Sequence, residues 1–574
     1  MRKNSDNSLR VVSIFIIFGA FAILARLFVL QVVDYGYYST LALDAHEIYK
    51  QLHPRRGEIF MQDTRNKKEY PVAVNRKYYL VYAVPRDIPE NKISTTTNFL
   101  SKLFDFDDEE SDKLLEKLLK RKDPYEPIAK KVSEDIVQKI KDADLNGVNF
   151  VAEEFRYYPE SELGSNALGF VRFNQDGNSV GSYGLEGYWD KRLAGKSGFL
   201  AGETSAAGSL ISLAGRTVKQ AEDGVDLLLT IDRNLEYNAC ERLKKGLEEF
   251  KAQSASLLVL NSKTGAVLAM CSAPDFDPNN YADVKDMAYF NNSTIFTSYE
   301  PGSVFKPIVM SIALDLGLVS PFTSFVDPGE RIVNGHKIRN AEGKKYGKVT
   351  MTGVLEHSIN TGMIWVAEKI GQLRFKEYVE KFGFGKKTGV ELDTEVQADI
   401  SSFDKKAEIY AANESFGQGF MATPIQLVAA YAALANDGKM PKPYIVEEIR
   451  HKNGKIEKTE PEIVDVVISP SAGKLITGML ISVVENGHGK KARLDDYYIA
   501  AKTGTAQIAK SGEYAEESNH TFVGYFPASA PQFVLLVKYE APARNWAEST
   551  AAPVFKDVAK FILDYYGVPG DKNV

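Results

Sequence analysis

Residues 301–318 read PGSVFKPIVMSIALDLGL. The run after Lys306 is an apolar helix, and Pro307 falls in its first turn, where proline is tolerated. That puts Ser303 at the helix N-terminus with Lys306 one turn on. At i and i+3 the two side chains share a face. A free hydroxyl is a poor nucleophile and needs an adjacent base. Lysine is that base only when burial or a second nearby cation lowers its pKa. The Ser303 N–H, aimed by the helix start, donates to a developing oxyanion.

Two further short patterns follow in order, Ser358-Ile-Asn360 and Lys502-Thr-Gly504. Each pattern alone is weak. Ser-x-x-Lys recurs at Ser402–Lys405 and Ser471–Lys474, Ser-x-Asn at Ser5–Asn7, and Lys-Thr-Gly at Lys263 and Lys387. Context separates them: Ser5 is in the N-terminal tail, Lys263 in a hairpin turn, and Lys387 after the loop-like FGFGK. The expected roles are these. Lys502 is the second cation, and Thr505 gives the second oxyanion donor. Gly504 lets substrate backbone approach the strand. Lys502, Thr503 and Thr505 grip a carboxylate. Asn360 holds an amide, and Ser358 passes a proton to the leaving nitrogen. None of the seven histidines is needed, and no G-x-S-x-G elbow surrounds Ser303.

Working outward, the 574 residues suit several domains. A hydrophobic fraction of 44% with 25% charged residues excludes disorder through most of the length. The net charge of −6 argues against broad phosphate-backbone binding, so no nucleic-acid partner is expected. Cys240 and Cys271 cannot make a disulfide framework and read as two buried thiols; nothing in the sequence fixes whether they pair. No Cys/His cluster has zinc-ligand spacing, so neither a metal nor a cofactor is expected.

Val11–Val33 is the one long apolar run, 23 residues. As a helix it would span about 34 Å at ~1.5 Å per residue, enough for a bilayer core of ~30 Å. Arg2, Lys3 and Arg10 precede it, and no base follows before Lys50. The positive-inside rule then keeps residues 1–10 cytoplasmic and exports the rest. A cleaved signal peptide would want a shorter apolar core and a better cleavage site, and a buried core helix would be shorter.

Residues 34–54 read as a helical exit stalk and 55–85 as short strands. Residues 99–143 read as charged amphipathic helices, 148–200 as short strands and turns, and 200–224 as a Gly/Ala/Ser-rich connector. Next come a strand (LLLTID), a helix (233–253) and a hairpin turning at Asn261–Gly265. Three late strands (YIAAKTGTAQI, HTFVGYFPA, FVLLVKYEAP) precede a closing helix. The pattern is an α+β layer of antiparallel sheet and helices around one core.

With these residues in hand, the chain resembles a class B penicillin-binding protein, a membrane-anchored peptidoglycan D,D-transpeptidase. The Ser303, Ser358 and Lys502 patterns are the known signature of these enzymes and their β-lactamase relatives, so the triple is recognised rather than derived. Family-like stretches include RRGEI at 55–59, RYYPESELGSNALGFV at 156–171, GLEGYWDKRLAGKSG at 184–198, YEPGSVFKP at 299–307, SFGQGFMATPIQL at 415–427 and AAKTGTAQ at 500–507. Two departures stand out: Phe60-Met61-Gln62 come before Asp63, where the family turns sooner, and Ala501 replaces a frequent glycine. The resemblance implies an anchor at 11–33, a pedestal (dimerisation-type) domain over 34–224 and a transpeptidase domain over 225–574. It implies a Ser303 acyl-enzyme on stem peptides with release of D-alanine, and covalent inhibition by β-lactams. It also implies a polytopic glycosyltransferase of the shape, elongation, division and sporulation family, with other divisome proteins, as partners at the membrane. Septal synthesis is the favoured role. An elongation enzyme, a non-turnover penicillin sensor or scaffold, and a β-lactamase are the rival readings.

Overall fold

A computed structural model describes residues 54–174, 179–203, 217–510 and 513–572, the strand Glu47–Leu52, and Phe21, Ile23, Leu24 and Arg26 as helical. The rest of the expected anchor and the tail before it lie outside the described residues. Among the described residues no helix is long and apolar enough to cross a membrane.

The chain divides into two units. In the first, residues 1–55 with 195–224, the strand Glu47–Leu52 pairs antiparallel with Gly198–Glu203, which pairs with Thr217–Lys219. Two expectations are corrected here. The stalk is not helical at 47–52, and the connector carries two strands. Ile48 and Tyr49 are strand formers, and the ladder with a distant segment outweighs the local helical pattern.

In the second unit, β1 (Ile59–Asp63) and β2 (Lys68–Ala83) form a hairpin. Helices α1 (Ile93–Phe104) and α2 (Asp108–Leu119) follow, then β3 (Glu126–Val132), α3 (Glu134–Asp142) and β4 (Val148–Tyr157). Asp107 and Glu110 start α2 as a reciprocal capping box. Both β3 and β4 pair with β2. The region 99–143 is thus not wholly helical. EPIAKKV becomes a strand because Tyr79 to Ala83 of β2 supply its ladder partners. Leu100, Leu114, Leu118, Val137 and Ile140 from the three helices pack on Tyr79, Val81 and Ala83.

The family-like charged motifs of the pedestal are interior. Glu186, in the short helix α4 (Gly184–Tyr188), is fully buried. Arg156 Nε donates to its Oε1 at 2.6 Å and Arg56 Nε to its Oε2 at 2.8 Å. Arg56 Nη1 also donates to Asp190 at 2.8 Å, and Arg156 Nη1 to the Gly57 carbonyl at 2.7 Å. Burial alone would raise the Glu186 carboxyl; Arg156 and then Arg56 outweigh it and hold the group below its usual range.

β5 (Asp226–Asp232) lies parallel to β1, and Asp232 caps α5 (Arg233–Phe250) by accepting the Asn234 and Leu235 N–H groups. β6 (Ser254–Asn261) and β7 (Val267–Ala273) form the expected hairpin. Helices α6 (Lys306–Asp315), α7 (Asn360–Ile370) and α8 (Pro424–Ala435) follow and, after the strands β8 (Val446–Arg450) and β9 (Ile456–Lys458), α9 (Pro470–Glu485). Strands β10 (Ala500–Lys510), β11 (Glu513–Phe526) and β12 (Phe533–Glu540) and helix α10 (Ala551–Tyr566) close the chain.

The five-stranded sheet is antiparallel in the order β7-β6-β12-β11-β10. Leu257, Val259, Phe522 and Leu535 face Leu243 of α5 and Phe555 and Ile562 of α10. Leu258, Met270, Val523 and Leu536 join the core of α6, α8 and α9 on the other side. With both faces covered, β6 and β12 are continuous apolar runs rather than alternating ones. The expected α+β layer is observed.

Cys240 of α5 and Cys271 of β7 are disulfide-bonded, with Cα atoms 5.4 Å apart. This corrects the reading of two thiols. The helix lies directly on the strand, at a spacing a disulfide spans.

Glu186→Gln should unfold at lower denaturant than wild type, costing about 3–5 kcal/mol, because two guanidinium groups stay buried with their shared carboxylate gone. Equilibrium denaturation followed by fluorescence checks it.

Candidate active site

Ser303 sits in a single 3-10 turn, Gly302–Phe305, and Lys306 opens α6. The serine was expected at the helix N-terminus, and it lies there in a tighter turn that runs into α6 and opens on Gly302, whose φ is +59°. A side chain at 302 would put Cβ 2.8 Å from the Ala506 Cβ, so the turn lies directly against β10. The Gly302 N–H donates to the Gly417 carbonyl at 2.8 Å, and the Tyr431 hydroxyl to the Val304 carbonyl at 2.7 Å. Phe305 is wedged between Phe420 and Phe384, with ring centroids at 4.7 and 5.4 Å. The turn that carries the half-buried Ser303 is therefore held from three sides.

Lys306 and Lys502 are fully buried. Lys306 Nζ lies 2.7 Å from the Ser358 carbonyl oxygen, 2.7 Å from Asn360 Oδ1 and 3.1 Å from Ser358 Oγ. Lys502 Nζ approaches the same Ser358 Oγ at 3.1 Å and donates to the Thr503 carbonyl at 3.1 Å. Burial, then the Lys502 charge, pulls Lys306 well below the usual lysine value; burial brings Lys502 down to about 7. As a neutral amine Lys306 has two hydrogens, which satisfy the two short contacts and leave its lone pair for a hydroxyl. Ser358 can then accept from Lys502 and donate to Lys306, a proton path between the two nitrogens.

Ser358 has φ of +54°. For a non-glycine residue this is a sparsely populated conformation costing on the order of 1–3 kcal/mol. It points both the carbonyl and the hydroxyl of one residue at Lys306.

The structure thus gathers Lys306, Ser358, Asn360 and Lys502 around one point beside the Ser303 turn. Details differ from expectation. The Asn360 amide is largely engaged within the protein, its oxygen on Lys306 and its Nδ2 donating to the Arg339 carbonyl at 2.9 Å. The space at Gly504 is taken by the chain itself: a Cβ there would sit 2.9 Å from Val304 Cγ1 and 3.2 Å from the Pro301 carbonyl oxygen. The glycine admits the Ser303 turn to the strand. Thr503 is buried, while Thr505 is half-exposed with its hydroxyl accepting the Ala547 N–H at 3.1 Å.

Two supports escaped the sequence reading. Glu300 Oε1 accepts the Gly419 N–H at 2.9 Å and the Tyr514 hydroxyl at 3.3 Å, joining the approach to Ser303, the 415–420 loop and the β10–β11 hairpin. His488 belongs to none of the three patterns, and it is pulled down to about 4 by burial and then the Lys502 charge. Only the YEPGS stretch carried a signal for the first; nothing local marked the second.

Residues 255–560 match the family described as penicillin binding protein transpeptidase domain, and residues 51–229 match the penicillin-binding protein dimerisation domain. The chain belongs to the class B penicillin-binding proteins. This penicillin-binding protein is 31% identical over 547 residues to Stage V sporulation protein D of Bacillus subtilis (strain 168), covering 93% of this chain and 82% of that one. It is 31% identical over 457 residues to the peptidoglycan D,D-transpeptidase FtsI of Escherichia coli (strain K12), covering 78% and 74%. Its fold is that of penicillin binding protein 2X from Streptococcus thermophilus, with a TM-score of 0.75 at 23% identity over 90% of this chain and 80% of that one. The family's activity, serine-type D-Ala–D-Ala transpeptidation of peptidoglycan, is this chain's activity.

Lys502→Gln should move the acidic limb of the acylation–pH profile upward. Lys306 must lose its proton to act as a base, and without the adjacent cation its ammonium persists to higher pH. The second-order rate of penicillin acylation, measured across pH, reads the midpoint separately from any loss of affinity.

Proposed function

We propose that Ser303 is the acylated nucleophile and Lys306 its base. The observation that carries this is the convergence of the Lys306 and Lys502 nitrogens on the Ser358 hydroxyl, each at 3.1 Å, beside the Ser303 turn. The Ser303 hydroxyl gives its proton to Lys306 Nζ as its oxygen attacks the penultimate D-alanine carbonyl of a stem peptide. The Ser303 N–H and a donor from Thr505 stabilise the oxyanion. Collapse breaks the C–N bond, and Lys306 returns the proton through Ser358 to the departing D-alanine nitrogen. An acceptor amine from a neighbouring strand then attacks the ester. It loses its proton by the same path, Ser303 regains its hydroxyl, and an amide cross-link remains. Lys502 and Thr505 hold the substrate carboxylate, with Thr503 and Gly504 shaping the strand beneath. β-Lactams enter as the donor does and stay on Ser303.

The setting is part of the proposal. Residues 11–33 anchor the chain, with 1–10 cytoplasmic and the body exported. The Cys240–Cys271 bridge supports an oxidising compartment. Septal synthesis, beside a polytopic glycosyltransferase of the shape, elongation, division and sporulation family and other divisome proteins, is the favoured role; the anchor and its flank would make those contacts.

Intact-protein mass spectrometry after penicillin treatment should show one covalent adduct, mapped to Ser303 and absent from Ser303→Ala; an adduct that survives the substitution overturns the assignment. Depletion in cells should give filaments, and spheres would move the enzyme to elongation.

A further inference from the structure

Helix α5 and strand β7 enclose a second constellation, which the transpeptidase mechanism does not use. Glu236 and Cys240 are one turn apart on the face of α5 that meets β7, where Cys271 stands. One carboxylate oxygen of Glu236 and the two sulfurs all lie within 4.8 Å of one another. Glu236 is fully buried. Its Oε2 accepts the Met270 N–H at 2.7 Å, while Oε1 has no hydrogen-bond partner. That oxygen lies 3.9 Å from where a Cβ on Gly164 would stand, a position the Met61 Cε already crowds at 2.6 Å. The three residues line a cavity of about 200 Å³. Lys244 stands on its wall, held by Glu162 at 2.9 Å and Asp275 at 2.7 Å. Cys240 is half-buried and Cys271 almost wholly buried, so Cys240 is the sulfur open to attack.

We propose that Glu236, Cys240 and Cys271 form a redox-gated metal site that takes one divalent cation of zinc type when the disulfide is opened. A dithiol reductant supplies the two electrons. Its thiolate attacks the Cys240 sulfur and breaks the Cys240–Cys271 bond. Its second thiol then releases Cys240, leaving a cyclic disulfide on the reductant and two thiols on the protein. The thiols lose their protons as the metal binds, and the carboxylate completes three ligands. Two thiolates and one carboxylate are a borderline-soft donor set that suits zinc over calcium or magnesium. Tetrahedral zinc holds its sulfurs about 3.7 Å apart, so the site forms only once the S–S bond is gone. The fourth position opens on the cavity.

The orphaned Glu236 oxygen is the second observation that makes this more than a cysteine pair. A buried carboxyl with one oxygen that no protein group satisfies costs stability unless something in the cavity uses it. The disulfide cannot, because neither sulfur carries a proton.

Cobalt(II), a spectroscopic stand-in for zinc, tests it on the full chain. After reduction with a phosphine, the protein should bind one cobalt ion with thiolate-to-metal charge-transfer absorption, and zinc should displace it. The oxidised protein should show no such band, Cys240→Ser should lose it, and Glu236→Gln should weaken binding at least about tenfold. Penicillin acylation at Ser303 reports that each variant is folded, and if Cys240→Ser fails that check the isosteric Glu236→Gln decides. Absence of the band in reduced protein, equal cobalt binding in the oxidised form, or undiminished affinity in Glu236→Gln overturns the proposal.

Discussion

Two lysine nitrogens meeting at one serine hydroxyl, in a volume sealed from water, is the constraint on which the rest depends. Two like charges with no carboxylate between them cannot both persist there. One nitrogen gives up its proton, and the fold decides which. Burial and then the Lys502 charge press on Lys306, whereas burial alone acts on Lys502. The structure commits heavily to this arrangement. Every residue of α6 from Lys306 to Leu314 is buried, and Ser358 adopts a left-handed backbone.

The pedestal uses buried charge for the opposite purpose. Around Glu186 each charge has its complement, with Arg56 and Arg156 on the two carboxylate oxygens and Asp190 on the free edge of Arg56. Such a network shifts no proton near neutrality; it specifies which segments meet. Asp63 does the same at the other end of the hairpin. It accepts from the Asn234 amide at 2.9 Å and the Tyr565 hydroxyl at 2.8 Å, tying β1 to the start of α5 and the end of α10. The contrast is chemical. A paired buried charge is a lock, and an unpaired buried lysine is a base.

What was legible in the sequence follows from range. Ser303 and Lys306 are one turn apart, so helical geometry alone predicts that they share a face. The strands β5, β6, β10 and β12 and the helices α5 and α10 show dense apolar runs or a clear 3.6-residue period, and all were read correctly as to type. The misreadings fall where a distant partner decides. Glu47–Leu52 and Glu126–Val132 carry charges at spacings a helix also accepts, and only their ladders make them strands. The Glu186 network was hidden for the same reason. A charged motif reads as surface until its complement is found, and here the two arginines stand 30 and 130 positions away. That Lys502 reaches Ser358 was legible only through a recognised triple, because no periodicity connects positions 144 apart.

The two glycines of the site explain how the Ser303 turn and the strand that carries Lys502 stay in register. β10 is the edge of its sheet, and an edge strand exposes unpaired backbone groups unless something covers it. Here the cover is the Pro301–Val304 turn itself. Gly302 admits Ala506, and Gly504 admits Val304, so the turn and the strand lie in close contact. Catalytic geometry is held to a fraction of an ångström only when its supports are themselves locked. A turn clamped this closely leaves Ser303 little freedom to drift from Lys502. Thr505, between these two contacts, stays half-exposed. Covering this part of the edge with the Ser303 turn protects the strand.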